Sequence, residues 1–125
     1  MKPETKRWVR KAEHDWHGAR NLENNVPRLH DLVCFHCQQS AEKYLKALLE
    51  ELAEPIPRTH LLRDLLALLS PHHPALQPLG RGLRFLTRFA VGTRYPGNDA
   101  TKRQADSARR WAGRVRDACR AVLGI

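Results

Sequence analysis

A turn near residue 95 carries two side chains that could contact a phosphate and a flat ring. Arg94 and Tyr95 directly precede Pro96-Gly97, and this dipeptide fixes a tight turn. A guanidinium presents two parallel donors to a phosphate, and a phenol ring presents a stacking face to a base. The same two residues also have a structural interpretation. In it, Tyr95 closes the end of a helical bundle and Arg94 binds the carbonyl groups at a helix C-terminus.

Basic residues are concentrated in the last third of the chain. The formal net charge is +9, and residues 80–125 hold 11 Lys and Arg against 3 Asp and Glu. Arg109 and Arg116 lie on the outward face of the predicted last helix, where a phosphate backbone would meet them. The alternative is a solvated face on which the arginines pair with Asp106 and Asp117. The charge pattern supports both interpretations equally.

Asp15 lies at the edge of the apolar face of the first predicted helix. A carboxylate in that position needs a partner, because a buried charge without one is costly. The candidates are Arg94, Lys43 and His60. A structural ion pair is one interpretation, and a polar cluster that orients Arg94 towards a phosphate is the other.

Two thiols and a nearby imidazole have spacings that zinc ligands also have. Cys34 and Cys37 are three residues apart, and His30 lies one turn before them. However, both thiols belong to the apolar stripe of a helix, where a free cysteine packs as a small apolar residue. His36 lies on the opposite side of that helix and cannot join them. We therefore expect core packing for both cysteines and no metal site, and Cys119 lies on a core stripe too.

The elements that position these residues are all helical. Apolar residues recur at spacings of three and four, which predicts helices. The clearest stripes are Trp8, Ala12, Trp16 and Ala19; Cys34, Cys37, Ala41, Leu45, Leu48 and Leu52; and Ala105, Ala108, Ala112, Val115, Cys119 and Val122. A short helix follows Arg58-Thr59-His60, and a fourth long segment runs from about 76 to 91. The sequence predicts one all-α domain over residues 1–125, an antiparallel up-and-down bundle of four long helices plus one short helix.

Length and composition narrow the class of protein. A chain of 125 residues suits a single domain, and 42% apolar with 28% charged residues is a folding composition. No apolar run reaches the roughly 18 residues that a membrane span needs. Residues 1–6 lack the apolar segment of a secretory signal, and three cysteines cannot all pair within the chain. We therefore expect a cytoplasmic protein with reduced thiols and no membrane partner.

Four segments of the chain together resemble the HEPN domain family. The segment from Cys34 to Leu49, with Gln38-Gln39 and Glu42-Lys43, resembles the signature helix of this family. The other segments are Trp8 with Ala12, Asp15 and Ala19; Thr59-His60-Leu61 followed by Leu65-Leu66; and Thr93-Arg94-Tyr95-Pro96 before an alanine-rich last helix. These landmarks have the order and spacing of the family over nearly the whole chain.

The resemblance implies a compact helical bundle that forms a homodimer and is linked to nucleotides or RNA. Many such proteins are encoded beside a minimal nucleotidyltransferase and act with it as a two-component, often toxin–antitoxin, pair. Some members are metal-independent endoribonucleases. Their motif is an Arg and a His separated by four to six residues, close to the last two helices.

This chain departs from the ribonuclease motif. No His follows His73, so Arg94 has no partner at the expected spacing. The formal matches Arg7 to His14 and Arg10 to His17 lie in the first helix, which is the wrong element. We therefore assign no catalytic residue and no cofactor.

The leading hypothesis is a nucleotide- or RNA-binding protein that acts with a minimal nucleotidyltransferase. One alternative is an endoribonuclease toxin that uses His36 or His60, and another is a dimeric interaction module with no nucleotide site. The predicted binding residues are Arg94, Tyr95, Arg109, Arg116, Lys43 and His60, with Asp15 in a structural polar cluster.

Overall fold

The protein is a bundle of five α-helices. The computed structural model describes residues 1–125, apart from the side chain of Arg94. The helices are α1 (Pro3–Asn21), α2 (His30–Glu51), α3 (Leu62–Leu69), α4 (Gly80–Thr87) and α5 (Lys102–Leu123), with 3-10 turns at Pro74–Leu79 and Gly92–Arg94. The described part contains no strand, so the all-α bundle is confirmed. None of its helices is long and apolar enough to cross a membrane.

The fourth helix is shorter than the sequence predicts. A long helix was expected from about residue 76 to 91, but α4 has only eight residues and follows the 3-10 turn Pro74–Leu79. Pro78 lies inside that turn, and proline removes a backbone donor and clashes with the preceding turn of an α-helix. The bundle therefore has three long helices, α1, α2 and α5, and two short ones.

α2 is the centre of the core. It packs against α1, α3, α4 and α5, and Tyr44, Leu45, Leu48 and Leu49 are buried almost completely along its length. The predicted core position of the thiols is confirmed, because Cys34, Cys37 and Cys119 are fully buried. Burial raises the pKa of each of the three thiols, so they remain protonated and apolar in character.

Three local features fix the position of α5. A capping box starts the helix, in which the Thr101 hydroxyl accepts from the Gln104 amide and the Gln104 side chain accepts from the Thr101 amide. Just before the cap, Asp31 at the start of α2 accepts from the Ala100 amide. Further along, a Cβ atom at Gly82 of α4 would lie 2.0 Å from the Trp111 ring. Glycine at that position therefore allows α4 to pack directly on α5.

Candidate functional site

α1 and α5 run antiparallel and form a groove between them. Glu13, Trp16 and Arg20 recur on α1 at spacings of three and four, so they share one face, and Glu23 follows in the turn just after the helix. The row that meets them on α5 is Arg109, Gly113 and Arg116. Contacts join Glu13 to Arg116, Trp16 to Gly113 and Glu23 to Arg109. The missing side chain at Gly113 makes room for the Trp16 ring, since a Cβ there would lie 3.3 Å from it.

Arg116 is held at one end of the groove by Glu13. Its guanidinium donates to both carboxylate oxygens at 2.7 Å, and the Tyr44 hydroxyl donates to one of them at 2.6 Å. The Arg116 hydrogen bond is the largest influence on the carboxylate. With Tyr44 and Arg120 it outweighs the opposing effect of burial, and the pKa of Glu13 is lowered to about 2. Burial, together with the bond to Glu13, raises the pKa of Tyr44 to about 12. Arg116 is thus engaged within the chain.

Arg109 is also paired within the chain. Its guanidinium lies 2.5 Å from Asp106 on its own helix and 3.3 Å from Glu23 in the turn after α1. The two arginines predicted to contact phosphate therefore both carry carboxylate partners. Sequence reasoning named Asp106 as a partner but missed Glu13 and Glu23, because both come from the far end of the chain. The sequence signal that could have found them is the spacing of three and four residues from Glu13 through Trp16 and Arg20 to Glu23.

A cleft of about 490 Å³ opens at the other end of the groove. It is lined by four cationic and two anionic side chains around Trp16. The Arg20 guanidinium lies 5.9 Å from the centre of the Trp16 ring, and Arg110 donates to Ser107 at 3.2 Å. Neither of these arginines has a carboxylate partner among the residues that the structure describes. Lys102, by contrast, pairs with Asp106 at 2.9 Å.

A row of exposed arginines follows the outer side of α5. Arg103, Arg110 and Arg114 are exposed and lie at helical spacings of seven and four. Arg114 covers the Trp111 ring at 4.9 Å. Within the described part of the chain, none of the three pairs with a carboxylate. We call these residues the α5 arginine row.

Asp15 contacts two side chains of α2. Its Oδ2 lies 2.5 Å from the Lys43 ammonium, and its Oδ1 lies 2.8 Å from Nδ1 of His36. Asp15 is only 9% exposed, so this cluster ties α1 to α2. Lys43 was among the predicted partners, whereas His36 was missed as a partner of Asp15. The signal for it was the spacing of seven residues from Lys43, which places both on one side of α2.

His60 belongs to a different cluster, around Glu42. The Glu42 carboxylate contacts His60 Nδ1 at 2.9 Å, the Lys46 ammonium at 3.0 Å and the Gln38 amide at 3.1 Å. Gln38, Glu42 and Lys46 are nearly fully buried, whereas the His60 side chain is 63% exposed. Burial raises the pKa of Glu42, but the hydrogen bonds from His60, Gln38 and Lys46 together outweigh burial and lower it. The prediction that His60 is a candidate partner of Asp15 is therefore wrong, because His60 contacts Glu42 instead.

The turn with Tyr95 lies at the protein surface. Tyr95 is 64% exposed, so it does not close the end of the bundle, and its ring is available to a ligand. The side chain of Arg94 lies outside the described part of the structure. Among the described residues, no group of His, Cys, Asp or Glu side chains could hold a metal ion.

The predicted site residues therefore do not converge on one place. Tyr95 is in the exposed turn, Arg109 and Arg116 line the α1–α5 groove, Lys43 binds Asp15 and His60 binds Glu42. The α5 arginine row and Arg20 are instead among the described cations that have no carboxylate partner, as are exposed residues of other elements such as Arg10 and Arg63.

Comparison with known proteins relates the whole chain to one family. The model of the HEPN domain matches residues 5–122. Among solved structures, ST0689, an archaeal HEPN homologue, superposes with a TM-score of 0.78 and 27% identity over 98% of this chain and 99% of that one. TT1696 from Thermus thermophilus shares the fold, with a TM-score of 0.83 and 20% identity over 96% of this chain and 98% of that one. No curated protein sequence matches the chain. Since the domain model spans nearly its full length, the chain belongs to the HEPN family.

Proposed function

We propose that this HEPN protein binds the phosphate groups of a nucleotide or of RNA and acts together with a minimal nucleotidyltransferase, in a two-component and toxin–antitoxin type of pair. The observation that carries the binding proposal is the α5 arginine row, three exposed guanidiniums without carboxylate partners in the described structure. Guanidinium groups without carboxylate partners are free to replace the counterions of phosphates. The proposal also includes Arg94 and Tyr95 of the turn before α5, as a phosphate contact and a stacking ring.

The paired cations have a supporting role in the same proposal. Arg109 and Arg116 hold α1 against α5 through Glu23 and Glu13. Lys43 and His60 hold other elements together through carboxylates of the chain. A phosphate would have to displace these carboxylates before it could bind the four side chains. We therefore place the main phosphate contacts on the unpaired arginines.

Replacing the α5 arginine row by alanine is expected to weaken RNA binding by about a hundredfold, since each phosphate contact contributes to affinity. The measurement is the affinity for a labelled single-stranded oligoribonucleotide. The matched control replaces Arg10, Arg58 and Arg63, which are exposed arginines of other elements, and removes the same charge. Equal losses in both triple variants would contradict the proposed surface. No binding by the unmutated protein would instead favour an interaction module without a nucleotide site.

A second candidate function, metal-independent RNA cleavage, is favoured by the Asp15–His36 pair. A carboxylate on Nδ1 fixes the orientation and tautomer of an imidazole and leaves Nε2 for proton transfer. The Glu42–His60 pair has the same form. When the RNA-binding measurement on the unmutated protein is carried out with a chelator, we expect the RNA to be recovered intact. Cleavage that disappears in His36→Ala or His60→Ala would establish this second function.

We also propose that the protein is a homodimer. HEPN domains commonly form dimers, and this chain exposes apolar side chains that a second copy would cover. Leu32 of α2 is 44% exposed and Val91 is 51% exposed, and α2 contacts the turn that follows Val91. Light scattering at micromolar concentration is expected to give twice the monomer mass of 14.4 kDa. A species of 14.4 kDa alone would contradict the dimer.

The nucleotidyltransferase partner is tested by the identity of the neighbouring open reading frame. A minimal nucleotidyltransferase encoded there supports the pair, and an unrelated neighbour counts against it.

A further inference from the structure

The α1–α5 cleft combines an aromatic face with cations that have room for a ligand. Trp16 is partly buried, and the guanidiniums of Arg20 and Arg116 lie 5.9 and 5.5 Å from the centre of its ring. Arg116 is occupied by Glu13, whereas Arg20 has no carboxylate partner among the described residues. Arg110, on the opposite wall, has none either. The cleft therefore offers one ring surface and two guanidiniums free to bind an anion.

The size and charge of the cleft limit what it can hold. A volume of about 490 Å³ falls within the range of roughly 300–1,000 Å³ that small-ligand sites have. Four cationic and two anionic side chains line it, so it favours a ligand of negative charge. An inorganic anion would satisfy the charges but leave the Trp16 face unused. A ligand that uses both features carries a flat ring and a phosphate.

We propose that this cleft binds a nucleoside phosphate, with the base against Trp16 and the phosphate between Arg20 and Arg110. The inference rests on the proposed function and deepens it, because it names the unit that is bound and the place where it binds. The ion pairs Glu13–Arg116, at 2.7 Å, and Glu23–Arg109, at 3.3 Å, join the two walls within the chain. The site is thus formed before the ligand arrives, which lowers the entropic cost of binding.

The experiment compares two double variants that remove equal charge. The probe is adenosine 5′-monophosphate, with adenosine as the uncharged reference, and binding is followed by calorimetry. Arg20→Ala with Arg110→Ala is expected to weaken adenosine monophosphate binding at least tenfold. Arg10→Ala with Arg63→Ala is expected to leave it unchanged, because both are exposed and neither lines the cleft. Thermal melting of both variants shows whether each is folded.

The tryptophan supplies an independent readout. The nucleotide is expected to quench the intrinsic fluorescence of the protein, and Trp16→Phe is expected to abolish the quenching while Trp8→Phe retains it. Two competitors distinguish the source of the ligand. If a 5′-phosphorylated oligoribonucleotide displaces adenosine monophosphate and its 5′-hydroxyl form does not, the natural ligand is an RNA end. If neither oligoribonucleotide displaces it, the ligand is a free nucleotide.

The outcomes separate this inference from the proposed function. RNA binding without adenosine monophosphate binding would overturn the inference and leave the proposed function standing. Equal affinities in the two double variants would overturn it as well. If neither RNA nor nucleotide binds the unmutated protein, the proposed function and the inference both fail.

Discussion

Glu42→Ala is expected to lower the free energy of unfolding by about 3–5 kcal/mol, the cost of leaving a buried ionic partner uncompensated. Glu42 is 5% exposed and Lys46 is 9% exposed, and the two are joined at 3.0 Å. Removing the carboxylate leaves a buried ammonium and a fully buried Gln38 without their acceptor. Urea-induced unfolding at neutral pH measures the effect.

Glu50→Ala is the control for this variant. Glu50 lies on the same helix, and its side chain takes no part in the Glu42 cluster. Its replacement is expected to change stability by less than about 0.5 kcal/mol, as for most surface substitutions. Equal stabilities of the two variants would show that the Glu42 cluster does not stabilise the fold.

Acid is expected to remove the stabilisation that Glu13 provides. The hydrogen bond from Arg116, opposed by burial and assisted by Tyr44, lowers the pKa of this carboxyl from 4.5 to about 2. A carboxyl whose pKa is lower in the folded state stabilises the fold fully above its unfolded pKa. The contribution declines as the pH falls from about 4.5 towards 2 and is absent below that. At neutral pH it amounts to about 2–3 kcal/mol.

Comparing the unfolding free energies of the unmutated protein and the Glu13→Gln variant measures the contribution of the Glu13 carboxylate to stability. The difference in unfolding free energy between the two is expected to be largest near neutral pH and to shrink steadily as the pH falls below about 4.5. Glu4→Gln, which removes an exposed ion pair with Arg7, serves as the control and is expected to change stability by less than about 1 kcal/mol. A difference for Glu13→Gln that is independent of pH would contradict the assigned role of Arg116.

The helices could be predicted because their signals are local. The stripes of α2 and α5 repeat every three or four residues, and the core thiols follow from the same spacing. The fourth helix was overestimated because Leu79, Leu83, Leu86 and Ala90 keep helical spacing even though Pro78 interrupts the α-helical hydrogen bonds. Periodicity reports which face is apolar, but it does not report where an α-helix starts.

The polar contacts between helices could be predicted only in part. Asp15 was expected to need a partner, and Lys43 is one. Glu13 and Arg116 are separated by 103 positions, and their pairing depends on the rotation and register of α1 against α5. Those quantities are set by packing, including the close fit of Trp16 on Gly113. The phosphate contacts of Arg94 and Tyr95 stay predictions.

The salt dependence of RNA binding is the decisive measurement for the proposal that the α5 arginine row binds phosphates. For phosphate binding through the α5 arginine row, the logarithm of the binding constant falls linearly with the logarithm of salt concentration. In the Arg103, Arg110 and Arg114 triple alanine variant, the slope is expected to decrease by about two to three relative to the Arg10, Arg58 and Arg63 variant. An affinity that does not change with salt, or identical slopes in the two variants, would contradict it.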